Sequence, residues 1–159
     1  MAIDRQTFRK VLGSFAAGVT IITTVGDDGK PYGLTATAFS SVSLDPPLVL
    51  VCVDKKSESY PHLLSARRFS VSFLADGHEE LSNRFARSGG DKFGGLEVEV
   101  AHTDVPRPLG VLAYVDCVTT DVVDAGDHSI FLGRVEAGDA CEGEPLVYFR
   151  GGYRRLTGI

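Results

Sequence analysis

The chain is short of the features that mark several large functional classes. It has 159 residues, with 16 Lys or Arg against 21 Asp or Glu and a formal net charge of -5. No basic run exceeds two residues. That argues against nucleic acid or an anionic membrane surface as partner, since both need clustered cations. No apolar stretch approaches the ~18 residues of a membrane span. The N-terminal Met-Ala-Ile-Asp-Arg-Gln is polar at once and has no signal-peptide core, so a cytoplasmic location is expected. Cysteine is sparse: Cys52, Cys117 and Cys141 form an odd set with no CxxC and no close Cys/His pair, which removes the usual zinc patterns. Two buried thiols and one loop thiol are expected, in a reducing compartment. No GxGxxG opens a helix after a strand, and no Walker lysine motif is present. No serine sits in GxSxG, so a hydrolase constellation is missing too. The glycines of Ser88–Gly95 have the wrong spacing for a phosphate loop and suit a mobile connection. A nicotinamide nucleotide, if used, must bind without a Rossmann domain.

What is present reads as one globular domain spanning 1–159, 43% hydrophobic and 23% charged. Asp4 can cap a first helix carrying Phe8, Val11, Leu12 and Phe15 on one face. Gly18–Val25 is rich in β-branched residues, and Asp27-Asp28-Gly29-Lys30 signals a hairpin turn, so Tyr32–Ser41 should pair back against it. Asp45-Pro46-Pro47 cannot lie inside a central strand. Leu48–Val53 is short and continuously apolar. Ser57 to Pro61 suits a helix start, with Leu63 and Leu64 following. Phe69–Leu74 is a further strand. Asp76-x-x-Glu79 resembles a capping box ahead of Leu81 and Phe85. Val111–Val123 and Ser129–Ala137 are long strands joined by Asp124–His128, and Leu146–Phe149 and Tyr153–Leu156 finish the chain. Seven or eight sequential strands and three short helices disfavour a parallel doubly wound sheet and fit a closed or split antiparallel barrel of Greek-key type.

The stretch 33–47 is the richest in potential chemistry. Thr35, Thr37, Ser40, Ser41 and Ser43 place five hydroxyls within nine residues, with Thr23 and Thr24 nearby. Small Ala36 and Ala38 between them leave backbone open to a flat ligand. Downstream, Ser57 beside Lys55 and Lys56 could form an anion site from amides, dipole and charge. Outward-facing strand hydroxyls, a solvated lysine loop and a simple helix cap account for the same residues without a ligand. Phe85 is equally suited to core packing, and His62, His78 and His102 are ordinary surface histidines.

Several blocks in order resemble the short flavin reductases, which supply reduced flavin to two-component monooxygenases. They are Phe-Ala-Ala-Gly-Val-Thr-Ile-Ile-Thr-Thr at 15–24, Gly33–Pro47, Phe69-Ser-Val-Ser-Phe-Leu, Leu81-Ser-Asn-Arg-Phe-Ala, Gly126-Asp-His-x-Ile-x-x-Gly-x-Val, and Pro145–Tyr153. The resemblance covers Phe8 to Leu156. It implies an FMN-binding split barrel, homodimeric, with flavin near the subunit interface. NADH or NADPH would give a hydride to FMN or FAD, and reduced flavin would diffuse to a partner monooxygenase. Carried over by position, Thr35, Ala36, Thr37 and Ala38 would line the isoalloxazine, whose N1 and O2 would face backbone amides. Ser40, Ser41, Lys56 and Ser57 would meet the ribityl and phosphate. Cys52 and Val53 would lie beside the ring, and Asn83 and Phe85 could reach the tail. His128 is the implied catalytic residue, positioning nicotinamide rather than moving a proton, with Tyr153 nearby. Tyr60-Pro61 and Leu34 depart from the family pattern of threonine-histidine and methionine at those places. A flavoprotein that keeps its FMN and acts on another small molecule, or a non-catalytic flavin-binding module, are the alternative functions.

Overall fold

Residues 3–100 and 102–157 are described by a computed structural model. The first two residues of the polar N-terminal hexapeptide and the last two of the expected 1–159 span lie outside the described residues. In chain order the elements are α1 (Arg5–Leu12), β1 (Ala17–Gly18), β2 (Thr20–Val25), β3 (Pro31–Ala36), β4 (Phe39–Leu44), β5 (Pro47–Asp54), α2 (Tyr60–Ala66) and β6 (Arg68–Phe73). There follow α3 (Glu79–Ala86), β7 (Val98–Val100), β8 (Pro106–Pro108), β9 (Ala113–Ala125), β10 (His128–Ala140), β11 (Val147–Phe149) and β12 (Gly152–Arg154). No helix among the described residues is long and apolar enough to cross a membrane.

Seven strands form one antiparallel sheet in the order β3-β2-β6-β9-β10-β5-β4. Its two edge strands, β3 and β4, are consecutive in the chain and are joined only by Thr37-Ala38. At about 3.5 Å per residue, two residues cannot separate the edges of a flat seven-stranded sheet, so the sheet must curl until its edges meet. The expected mostly β split barrel is the result. β6 returns beside β2 instead of β5, the non-sequential step of a Greek key. The edges do not zip together. The Cys52 N–H donates to the Ala38 carbonyl at 3.0 Å and extends the β4–β5 ladder up to the crossing.

The barrel interior is filled by Ile22, Val51, Val53, Leu63, Phe69, Val71, Cys117 and Phe131. A second cluster, built on Val19, Ile21, Leu74, Phe85 and Leu146, lies on the other face of β2. Burial from both sides explains why β2 is continuously buried from Thr20 to Thr24 and carries no polar-out alternation. Two glycines mark close packing. A Cβ on Gly133 would come 2.5 Å from the Phe69 ring, and one on Gly33 would come 2.7 Å from the Phe85 ring. Both belong to the sequence blocks singled out above, and at both the packing itself requires the missing side chain.

The structure corrects several local expectations. Tyr32–Ser41 is two strands, not one, because Thr37-Ala38 crosses the seam and β4 pairs with β5. Gly18–Val25 breaks at Val19 into strands of different sheets. Asp4 does cap α1, accepting from the Gln6 and Thr7 amides, but the helix stops at Leu12 and leaves Phe15 beyond it. Asp76 forms no capping box: it pairs with Arg155 at 3.0 Å, and α3 starts after His78 without a side-chain cap. Ser57 is not the cap of α2: the N-cap is Ser59 and the helix begins at Tyr60, with Pro61 in its first turn as expected. β7 and β8 pair antiparallel as a small two-stranded sheet that propensity did not announce. It carries Arg107, which is buried, 3.2 Å from Asp116 and 3.0 Å from Glu99, with its guanidinium over the Tyr114 ring.

The three thiols are free. Cys117 is buried, and desolvation pushes its pKa up to about 12. Burial also raises that of half-buried Cys52, while Cys141 is exposed.

Candidate functional site

An edge strand presents backbone N–H and C=O groups that no neighbour takes. In this barrel β3 is one such edge, and α3 packs beside it. The Thr35 hydroxyl donates to the Ser82 carbonyl of α3 at 2.6 Å. Around this staple lie two joined cavities. One, of about 370 Å³, is lined by Thr35, Ala36, Thr37, Asn83, Tyr148 and Tyr153. The other, of about 270 Å³, is lined by Thr35, Lys56, Ser57, Phe85, Arg87 and Ser88. Thr35 and Ala86 belong to both, so the two make one trough along the open edge of β3.

The trough has two chemically distinct ends. At the first, small Ala36 and Ala86 leave the backbone accessible, and Tyr153 supplies a fixed phenol. Its hydroxyl lies 2.8 Å from both Ser82 Oγ and Asn83 Oδ1. At the second, Lys56 and Arg87 are exposed and have no carboxylate within salt-bridge distance among the described residues. The Ser57 and Ser88 hydroxyls stand beside them. Asp54 and Glu58 also line the second end, each accepting from a backbone amide, Lys56 N at 2.8 Å and Gly89 N at 2.9 Å, so an anion would have to be met there by the side chains of Lys56 and Arg87.

The anion end is not built as the sequence suggests. The Lys56 amide donates to Asp54 Oδ1 at 2.8 Å, the Ser57 amide to the Asp54 carbonyl at 2.9 Å, and the Ser59 amide to Ser57 Oγ at 3.3 Å. With those amides occupied, side chains must supply the donors. Lys55 is also spent: its ammonium reaches Asp124 Oδ2 at 2.9 Å and the Gly126 carbonyl at 2.6 Å. The Lys55 hydrogen bond holds the Asp124 carboxyl below its usual range. Lys55 therefore pins the turn between β9 and β10, and Lys56 is the free cation.

That turn sets His128. It opens β10, opposite Asp54 of β5, and is half-exposed. Its Nδ1 lies 2.7 Å from Asp127 Oδ1, a contact that orients the ring. The same hydrogen bond, followed by the imidazole's charge, lowers the Asp127 pKa. His128 does not line the trough; it stands beside its anion end through Asp54.

Of the residues named from sequence, the trough brings together Thr35, Ala36, Thr37, Lys56, Ser57, Asn83, Phe85 and Tyr153. Phe85 serves chiefly as core, being 1% exposed. Ala38 and Cys52 extend the β4–β5 ladder by one backbone rung, and the Val53 side chain is fully buried in the barrel core. Ser40 and Ser41 lie exposed on β4, outside the trough lining, and the Ser40 hydroxyl turns back to the Ser41 carbonyl at 2.9 Å. Sequence reasoning missed Ser82, Ala86, Arg87, Ser88 and Tyr148. Four of these follow from α3 lying along β3, a contact between distant segments that no local pattern signals.

Comparison with known proteins gives a consistent picture. The flavin reductase like domain family matches residues 12–157. The flavin-dependent monooxygenase reductase subunit HsaB of Mycobacterium tuberculosis is 41% identical over 160 residues, covering 99% of this chain and 83% of that protein. The reductase component of a flavin-dependent trigonelline monooxygenase from Acinetobacter baylyi is 44% identical over 150 residues, 93% of this chain. The chain spans only about half the length of that relative, 48%. Among solved structures, an NADH:FAD oxidoreductase of Streptomyces globisporus, in complex with NAD and FAD fragments, superposes with a TM-score of 0.92. It is 35% identical, with 97% of this chain and 93% of that one covered.

Proposed function

The chain belongs to the flavin reductase-like family, and on that premise we propose that it is an NAD(P)H:flavin oxidoreductase acting as a single domain. It would supply reduced flavin, in the cytoplasm, to a separate monooxygenase. The observation that carries this reading is the two-ended trough. Its cationic end, Lys56 and Arg87 with Ser57 and Ser88, suits a flavin phosphate. Its Ala36–Tyr153 end suits a flat ring whose polar edges need backbone donors. When bound there, flavin supplies the hydride-accepting chemistry, and NAD(P)H is the donor. The chain's own task is to bind, orient and exclude water. Thr35 holds the wall of the trough against α3, and Ala36 lets the backbone approach. His128, oriented by Asp127, stands beside the phosphate end and would hold the NAD(P)H nucleotide from there, which requires no proton transfer at the imidazole.

The test is NADH and NADPH oxidation by flavin-stripped protein with FMN, FAD or riboflavin added. The rate should be near zero without flavin and saturate in the micromolar range, roughly -8 kcal/mol of binding. Full activity without added flavin would overturn the reading.

The second part of the proposal is a homodimer. Phe8, Val11 and Leu12 of α1 are more than half exposed, Phe15 is 78% exposed, and Leu44 on β4 is 93% exposed. Apolar surface of that extent suits burial against a second copy. Sedimentation should give about twice the 17.0 kDa of one chain; an active monomer at micromolar concentration would contradict it.

A further inference from the structure

The segment that joins β5 to α2 works on two sides. On one side it gives Lys56 and Ser57 to the trough. On the other it ties down the turn between β9 and β10. The Lys55 N–H donates to the Asp127 carbonyl at 3.0 Å. The Lys55 ammonium donates to Asp124 Oδ2 at 2.9 Å and to the Gly126 carbonyl at 2.6 Å. Just beyond the segment, the Tyr60 hydroxyl and Ser129 Oγ lie 2.8 Å apart. These contacts flank His128 in the chain, before it at 124, 126 and 127 and after it at 129.

The ties differ in what they hold. Ser129 is buried and already laddered to Val53 of β5, so the Tyr60 contact secures a strand that is fixed in any case. The tip of the turn is less secure. Asp124, Gly126 and Asp127 are exposed, and Gly126 takes the left-handed conformation with φ 75°. Among the described residues, the Lys55 ammonium is the only side-chain donor from outside the hairpin that reaches this tip. An exposed ion pair alone contributes little to stability. Here one ammonium bridges a carboxylate of β9 and a carbonyl of the turn, and so sets where the tip lies against β5. Asp127 follows Gly126 directly and orients the His128 ring.

We infer that Lys55 is a positioning residue for flavin reduction by NAD(P)H, its ammonium holding the β9–β10 turn where Asp127 presents His128 to the nucleotide. The inference rests on the role given to His128 above. Lys55 itself meets neither flavin nor nucleotide: it does not line the trough, and two of its three ammonium protons are committed to the turn. Two adjacent lysines thus divide the work, Lys56 facing the anion end and Lys55 the turn.

The experiment is NADH kinetics and flavin titration on Lys55→Met, His128→Ala and the double variant. Methionine keeps an apolar stem and removes the donors. Lys55→Met should lower kcat/KM for NADH at least about tenfold, a part of the roughly hundredfold that a 1 Å misplacement costs. FMN and riboflavin affinities should stay at their wild-type values. The double variant should be no slower than His128→Ala, because the turn then has no imidazole left to position. Losses that multiply would overturn the inference, since Lys55 would act by another route. So would wild-type kcat/KM in Lys55→Met beside an impaired His128→Ala. Weakened FMN alone would place Lys55 in the anion site, and equal weakening of both flavins would make it a strut of the fold; either result overturns the inference. If His128→Ala reduces flavin at the wild-type rate, the role of His128 fails and the inference falls with it.

Discussion

The hydroxyl-rich stretch is divided by the seam into two halves of similar composition and opposite fate. In 33–38, Gly33 lies under the Phe85 ring, Thr35 is tied to α3, and Ala36 and Thr37 line the trough. In 39–44, Ser40 and Ser41 face solvent, and Val42 and Leu44 are exposed apolar residues on the outer strand. One half has been taken up by a ligand-sized space and the other by an open surface. Side-chain type does not decide between them; the element packed alongside does. α3 covers β3, while nothing among the described residues covers β4.

The contrast can be tested by substitutions in matched places. The largest effect should come from the far side of the seam. His128→Ala should lower kcat/KM for NAD(P)H on the order of a hundredfold, since a misplacement of about 1 Å costs that much. Flavin affinity should barely move. Stopped-flow flavin reduction at the wild-type rate across all NADH concentrations would remove His128 from the site. Next, Lys56→Ala should cost about 1.5–3 kcal/mol of FMN binding, the usual loss for a charge-assisted hydrogen bond, and leave riboflavin unaffected. Lys55→Ala is its control: it should loosen the β9–β10 turn without the same selectivity for FMN.

The two halves are compared most directly by overpacking. Gly33→Val should destabilise the fold by about 1–3 kcal/mol, because the added carbons meet the Phe85 ring. Ser41→Val should change stability by less than about 0.5 kcal/mol. Urea unfolding measures both, and similar values would erase the distinction drawn here. A smaller effect is expected at Thr35→Val, which removes the donor to the Ser82 carbonyl and should weaken flavin binding by about 1 kcal/mol. Thr35→Ser should restore it, and Ser40→Ala should do nothing.

The mildest probe uses the thiols. With a pKa pushed up to about 12, Cys117 holds almost no thiolate at pH 8 and should resist iodoacetamide until the protein unfolds. Cys141 should react first and half-buried Cys52, on β5, slowly. Added flavin should slow Cys52 alone; equal protection of Cys52 and Cys141 would argue against a ligand at the seam.

Most strands were legible because β-branched runs and one Asp-Asp-Gly-Lys turn are local signals, and the Gly26 amide does meet the Lys30 carbonyl across that turn at 2.9 Å. The break at Thr37-Ala38 was not legible, since it depends on which distant strand each half pairs with. Nor was the fate of Asp76, whose partner Arg155 is near the other end of the chain. The site was half legible. Thr35, Lys56, Asn83 and Tyr153 came from pattern and family likeness. Arg87, Ser88 and Lys92 are defined only once α3 and the following loop have docked on β3. Gly33 and Gly133 carried the family signature for reasons of packing, so a motif glycine here reports the core rather than the chemistry.

The sheet order has a kinetic consequence. The hairpins β2–β3, β4–β5 and β9–β10 join neighbours in sequence, whereas β5 meets β10 through the most distant pairing in the barrel sheet. Loop-closure entropy makes such a pairing late. The two edges that form the seam sit on different hairpins, so the trough comes into existence only when that last closure is made. Flavin can then recognise nothing earlier than the finished barrel. It should slow unfolding in proportion to its concentration and leave the refolding rate untouched.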